Sequence, residues 1–193
     1  MAYYAINGIT MYRLVSAPFL LLLAFTGEVI VFKWLIVLSF FTDAIDGPLA
    51  RKFNVTSVFG SRLDSVADDA TVLVSALGLW IIHPEFIRAE WVIIAALLFL
   101  LGIQTVAALV AYGKVTSFHT YMAKVSAVAQ GVFFISFFFG YGPSYLLFLI
   151  AVTTTGIELI EEIALVIILP EWKTNVKGIY WVLRSRTQTI TNQ

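Results

Sequence analysis

Cysteine does not occur in this chain, which excludes disulfides, thiolate chemistry and zinc–thiolate sites. Charge is scarce. Asp, Glu, Lys and Arg make up 12% of the 193 residues, where a soluble domain carries about 25%. The net charge is zero, so no basic field argues for nucleic acid as a partner. Internal repeats and low-complexity segments are also missing. No basic region followed by a cleavage site precedes the first apolar run, which is therefore expected to be a retained helix rather than a signal peptide. What fills the chain is apolar: 60% hydrophobic residues and a mean hydropathy of +0.92. These values define an integral membrane protein.

Apolar runs separated by turn signals predict six membrane helices, over about residues 9–25, 29 to the Asp43–Asp46 pair or on to 52, 62–82, 91–112, 120–139 and 144–168. Thr26-Gly27-Glu28, the loop 53–60, His83-Pro84-Glu85, Gly113-Lys114, Gly140-Tyr-Gly-Pro143 and Pro170 punctuate them. The expected architecture is all-α, a six-helix transmembrane bundle forming one domain over 1–193, followed by a polar tail at 171–193. With the N-terminus in the cytoplasm, Arg13, Arg51, Lys52, Arg62, Lys114, Lys124, Lys173, Lys177, Arg184 and Arg186 fall on that side. Only Lys33 and Arg88 fall on the other. This bias predicts cytoplasmic termini and a cytoplasm-facing cleft.

The scarce charge is concentrated. Asp43-Ala-Ile-Asp46-Gly47-Pro-Leu-Ala50-Arg51 is followed, after eight residues, by Gly60-Ser-Arg-Leu-Asp64-Ser-Val-Ala-Asp68. Asp43 and Asp46 are three apart and Asp64 and Asp68 four apart, so on helices each pair shares one face. If the two helices are neighbours, the four carboxylates converge. Four such anions at a membrane boundary repel unless a cation lies between them. Oxygen-only ligands select a hard ion, Mg²⁺ or Mn²⁺, rather than zinc.

The pattern DxxDGxxAR-x8-GxxxDxxxD resembles, without a gap, the signature of the CDP-alcohol phosphotransferase (CDP-alcohol phosphatidyltransferase) family. Asp43, Asp46, Gly47, Ala50, Arg51, Gly60, Asp64 and Asp68 each occupy a motif position. The resemblance implies a phospholipid-synthesis transferase that moves a phosphatidyl group from CDP-diacylglycerol to an alcohol and releases CMP. It implies that Asp43, Asp46 and Asp64 are ligands of two Mg²⁺ or Mn²⁺ ions. Asp68 is then a ligand, the base that takes the proton of the attacking hydroxyl, or both. It further implies that Gly47, Ala50, Arg51 and Gly60 contact the CDP-lipid, Arg51 through phosphate. Asn7, Thr10 and Arg13 share one helical face and are similar to the family's N-terminal NxxTxxR pattern, which extends that pocket. Arg13 alone reads equally as a positive-inside anchor.

On the acceptor side, residues 117–130 resemble the corresponding run of phosphatidylglycerophosphate synthases. Lys124 and Gln130 match it, while Ser126 and Ala127 replace a lysine and a threonine. Glycerol 3-phosphate is thus the leading acceptor. Inositol phosphate, phosphatidylglycerol, serine, or a diacylglycerol accepting from a soluble CDP-alcohol stay open. Lys124, Arg13, His119 and Glu158 are the candidate acceptor contacts. Lys124 is expected to face the cleft, or else to snorkel to the headgroups. Glu158, Glu161 and Glu162 are expected on one acidic face, unless the helix simply leaves the membrane there. His83 and His119, at helix ends, read as structural. The resemblance implies a homodimer, for which the small residues Ser75, Ala76, Gly78, Ala95, Ala96 and Gly102 leave room. Two further readings are an ion-coupled transporter, which explains the intramembrane acids but not the glycines and spacing, and a catalytically silent scaffold.

Overall fold

The computed structural model describes residues 2–53, 57–116, 118–142, 144–174 and 176–191. Within these, the side chains of 2–7, 46–47, 49–51, 58–59, 61–62 and 186–191 are not described. The described residues form eight helices and no strand: α1 (Ala2–Thr26), α2 (Val29–Lys52), α3 (Val58–Ile82), α4 (Pro84–Ala89), α5 (Trp91–Tyr112), α6 (Tyr121–Phe139), α7 (Ser144–Ile168) and α8 (Ile179–Thr191). Four of them contain stretches long and apolar enough to cross a membrane: Gly8–Thr26, Leu63–Ile82, Trp91–Tyr112 and Tyr121–Phe139. The chain is an all-α, polytopic membrane protein.

Several boundaries differ from the sequence reading: α1 begins at Ala2 rather than near residue 9, and the short α4 occupies residues 84–89, where only a break was expected. α3 starts at Val58 rather than near residue 62, because Ser57 caps it: its Oγ accepts the Gly60 N–H at 2.9 Å. Gly60 therefore lies in the first helical turn and not in the loop. The region 171–193 is not only a polar tail, since it contains α8. Elsewhere the punctuation acts as expected. Gly27, at φ +78°, ends α1, with the Glu28 N–H on Leu23 O and the Gly27 N–H on Ala24 O, so that α2 folds back directly. Pro84 stops α3 and starts the short α4 at its first turn. Pro48 is accommodated inside α2.

The chain forms two compact units. The first comprises Met1–Trp91 with Gly131–Ser144. Its core is Leu20, Phe32, Ile36, Val74, Leu79, Phe133, Phe134 and Phe138, all buried. Phe32 meets Phe138 edge-on at 5.1 Å and Phe40 stacks on Phe134 at 6.2 Å. Gly78 of α3 lies flat against the Phe32 ring, where a Cβ would overlap it. Ser75 is fully buried with its Oγ on Thr71 O at 2.7 Å. These two small residues are thus consumed by packing within the chain, whereas Ala95, Ala96 and Gly102 of α5 remain exposed.

The second unit comprises Val92–Gln130 with Tyr145–Gln193. Ala108, Phe118, Leu165, Val166 and Leu169 form its core cluster. The Tyr112 hydroxyl donates to the end of α7, 2.9 Å from Leu169 O.

Candidate active site

The motif aspartates are held by the first unit. α1 and α2 form an antiparallel hairpin about Gly27. Arg13 precedes its turn by about as many residues as Asp43 follows it, so the constant rise per residue brings both to one height. α3 lies beside this hairpin and supplies Asp64 and Asp68 one helical turn apart. The outcome is a single ionic cluster. Arg13 Nη1 donates to Asp43 Oδ1 at 2.5 Å and to Asp68 Oδ1 at 2.8 Å, and Nη2 donates to Asp64 Oδ1 at 2.8 Å.

The guanidinium is completely buried, while the three carboxylates keep 23–33% exposure. The acids therefore stay open to a ligand on their outer side. One cation shared by three anions leaves an excess of negative charge. Three carboxylates converging within hydrogen-bond distance of one cationic group offer oxygen ligands of the kind a hard divalent cation prefers. The residues present fit such an ion.

The surrounding polar groups continue along the same faces. Thr10, Arg13 and Ser16 of α1 are buried at three-residue intervals, and Ser16 Oγ donates to Arg13 O at 2.9 Å. On α3, Thr71 Oγ1 donates to Ala67 O at 2.8 Å, so this hydroxyl is satisfied inside its own helix. Asp69, next to Asp68, is exposed and takes no part in the Arg13 contacts described. Asn7, Asp46, Gly47, Ala50 and Arg51 have helical backbone, but their side chains lie outside the described residues.

The second unit holds three of the acceptor-side candidates, Lys124, His119 and Glu158. Lys124 is exposed, its ammonium 5.2 Å over the Tyr121 ring. Glu158 is half-buried. His119 adopts φ +49° between the fully buried Phe118 and Thr120, and Thr120 Oγ1 accepts the Ala123 N–H at 3.1 Å to cap α6. Ser126, where the resembling pattern has lysine, is fully buried. Its hydroxyl lies 3.0 Å from Thr155 Oγ1, which also accepts from Gln130 Nε2 at 2.7 Å.

Glu161 and Glu162 have different described partners. Glu162 Oε2 accepts from Gln104 Nε2 at 2.7 Å and from Thr116 Oγ1 at 2.8 Å, whereas Glu161 Oε1 accepts the Ile179 N–H of α8 at 3.0 Å. Gln104, only 5% exposed, escaped the sequence reading. Its signal was present: it is a lone amide within the 22 otherwise nearly uninterrupted apolar residues of α5. In such a span a polar side chain must find partners.

Within the first unit, a buried guanidinium on α1 gathers motif carboxylates of α2 and α3, and α1 and α3 are of membrane length; this defines an integral membrane protein with an acid-lined polar site. Its relationships agree. The family model described as CDP-alcohol phosphatidyltransferase matches residues 4–161, and the chain belongs to that family. A CDP-diacylglycerol–glycerol-3-phosphate 3-phosphatidyltransferase of Wigglesworthia glossinidia brevipalpis is 34% identical over 96 residues, covering 48% of this chain and 50% of that protein. A protein of the same description from Sodalis glossinidius (strain morsitans) is 34% identical over 95 residues, covering 46% and 48%. The chain spans about half the length of the curated relatives it matches. No solved structure matches it.

Proposed function

We propose that the chain transfers a phosphatidyl group from CDP-diacylglycerol to glycerol 3-phosphate and releases CMP. The observation that carries this reading is the convergence of Asp43, Asp64 and Asp68, from separate parts of the family motif, on one buried cationic group. Asp43, Asp46, Asp64 and Asp68 would hold two Mg²⁺ or Mn²⁺ ions. Such ions, when bound, supply neutralisation of the pyrophosphate charge.

The chain's own groups do the rest. The acceptor hydroxyl oxygen attacks the β-phosphorus, the bond from that phosphorus to the CMP oxygen breaks, and the hydroxyl proton passes to a carboxylate oxygen of Asp68. Arg51, Gly47, Ala50, Gly60, Asn7 and Thr10 hold the CDP-lipid. Arg13, Lys124, His119 and Glu158 serve the acceptor side, and Arg13 also keeps the three carboxylates gathered. The active form is a homodimer of a single six-span domain over 1–193, with both termini and the site facing the cytoplasm at the bacterial inner (plasma) membrane.

A second reading keeps the family chemistry but changes the acceptor to inositol phosphate, phosphatidylglycerol, serine or diacylglycerol. It is favoured by Ser126, a neutral side chain engaged with Thr155 and Gln130 where a lysine would have met an acceptor phosphate.

The test is CMP release by the purified protein in lipid, with CDP-diacylglycerol, Mg²⁺ or Mn²⁺, and each acceptor in turn. Stimulation by glycerol 3-phosphate that is lost in Asp68→Asn supports the proposal, and stimulation by another acceptor supports the second reading. Folded protein that releases no CMP with any of them, nor with soluble CDP-alcohols and diacylglycerol, refutes both. Cation flux without CMP formation would then favour the transporter.

A further inference from the structure

α8 presents two different faces. Ile179 and Val182, three residues apart, pack against the core cluster of the second unit. Tyr180, Trp181 and Leu183 are 60, 44 and 48% exposed, and Arg184 is exposed beside them. Apolar and aromatic side chains on the outside of a short helix are costly in water but favourable at the level of lipid headgroups.

The helix is also firmly placed. The Val176 N–H donates to Phe118 O at 2.7 Å, and Lys177 O accepts the Tyr121 N–H at 3.2 Å. Glu161 Oε1 takes the Ile179 N–H, and its other oxygen, Oε2, is buried with no hydrogen-bond partner among the described residues. Gly178 makes this possible. It sits at φ +143°, and a Cβ there would come within 2.8 Å of Glu161 Oε1. A carboxylate at the N-terminus of a helix is stabilised by the helix dipole, so Glu161 acts as a latch between α7 and α8.

Charge selects the partner. The segment after α7 carries Lys173, Lys177, Arg184 and Arg186 against the single acid Glu171. Lys173 also lines, with Leu169, Pro170, Val176, Val182 and Ser185, a cavity of about 270 Å³ between the end of α7 and α8. Identical basic faces of two copies would repel each other, which disfavours self-association through this face. The same pattern of bases, tryptophan and tyrosine at the end of a membrane helix is complementary to anionic lipid.

We propose that α8 is a membrane-surface helix whose outer face, Tyr180, Trp181, Leu183 and Arg184, binds the anionic headgroup layer of the protein's own bilayer. Lys173 and Lys177 provide further phosphate contacts, and Glu161 latches the helix to α7. This inference is independent of the acceptor and of the transfer reaction.

The lack of cysteine makes the test direct. Leu183→Cys in the full chain, labelled with a fluorophore and reconstituted in phosphatidylcholine vesicles with or without phosphatidylglycerol, reports lipid contact through quenching by brominated acyl chains. Stronger quenching in the anionic vesicles is expected. Docking should weaken about fivefold for each charge removed in Lys173→Gln, Lys177→Gln and Arg184→Gln. Glu161→Gln, which keeps the accepting oxygen, should retain docking. Glu161→Ala should free the helix and raise access of aqueous iodide to the label. Equal quenching with and without anionic lipid, or iodide access in both, overturns the proposal. So does a disulfide between unlabelled copies at position 183, which would place a second chain on this face. An unchanged Glu161→Ala overturns the latch.

Discussion

Arg13 and a divalent ion address the same carboxylates, so removing the arginine should make folding metal-dependent. In Arg13→Gln the cation shared by Asp43, Asp64 and Asp68 is gone and three carboxylates face one another. Each charge pair at about 4 Å is worth roughly 4 kcal/mol at an effective dielectric constant near 20. Desolvation of the guanidinium offsets several kcal/mol of that sum, and the partial exposure of the acids screens the repulsion that remains. Breaking a buried ion pair by removing one partner costs about 3–5 kcal/mol, and the solvent access of these acids argues for about 3. For a chain of this size that is a fall in Tm of about 6–12 °C. The assay is thermal unfolding in detergent, followed by tryptophan fluorescence with a chelator present. Adding Mn²⁺ at about a hundred times its Kd should return about 2.7 kcal/mol, and the variant should bind the ion more tightly than the parent does. A variant as stable as the parent in chelator, or one that Mn²⁺ does not stabilise further, would refute the idea that these acids form one cation site.

Gly78→Ala should lower stability by about 1–3 kcal/mol, because the added methyl overlaps the Phe32 ring; the same unfolding assay measures it, and Phe32→Leu in the same chain should recover part of the loss. Gln104→Leu removes a donor to the Glu162 carboxylate, with an expected cost of about 1–3 kcal/mol, and Glu162→Gln combined with it should cost less than the sum of the single changes. Ser57→Ala leaves the Gly60 N–H without its cap and should cost about 1 kcal/mol, visible as faster amide hydrogen exchange in the first turn of α3.

Much of the site could be read from the chain because its motif is local. Asp64 and Asp68 share a face through helical period alone, and the oxygen-only composition points to a hard cation whatever the fold. Arg13 was legible only as a member of an N-terminal pattern. Its bonds reach 30, 51 and 55 residues along the chain, and no local periodicity reports such distances. The glutamates show a different limit. Their spacing implied one acidic face, but not that Glu161 and Glu162, adjacent in sequence and about 100° apart on the helix, find different neighbours. α8 was overlooked because its apolar residues are few and mixed with arginines, so it lacks the hydropathy by which a membrane helix declares itself.

By itself the sequence determined the membrane class, since burying so many apolar residues in a chain with so little charge requires lipid as solvent. It also determined most helix ends, because glycine, proline and capping side chains act within a few residues. Tertiary structure decided which charges meet. Arg13 became the centre of the acid cluster because α1 and α2 fold back about Gly27 and α3 packs beside them, bringing three distant carboxylates to one height. It likewise assigned Glu161 to α8 and Glu162 to Gln104, because a buried polar group takes the partners that packing leaves within hydrogen-bond reach.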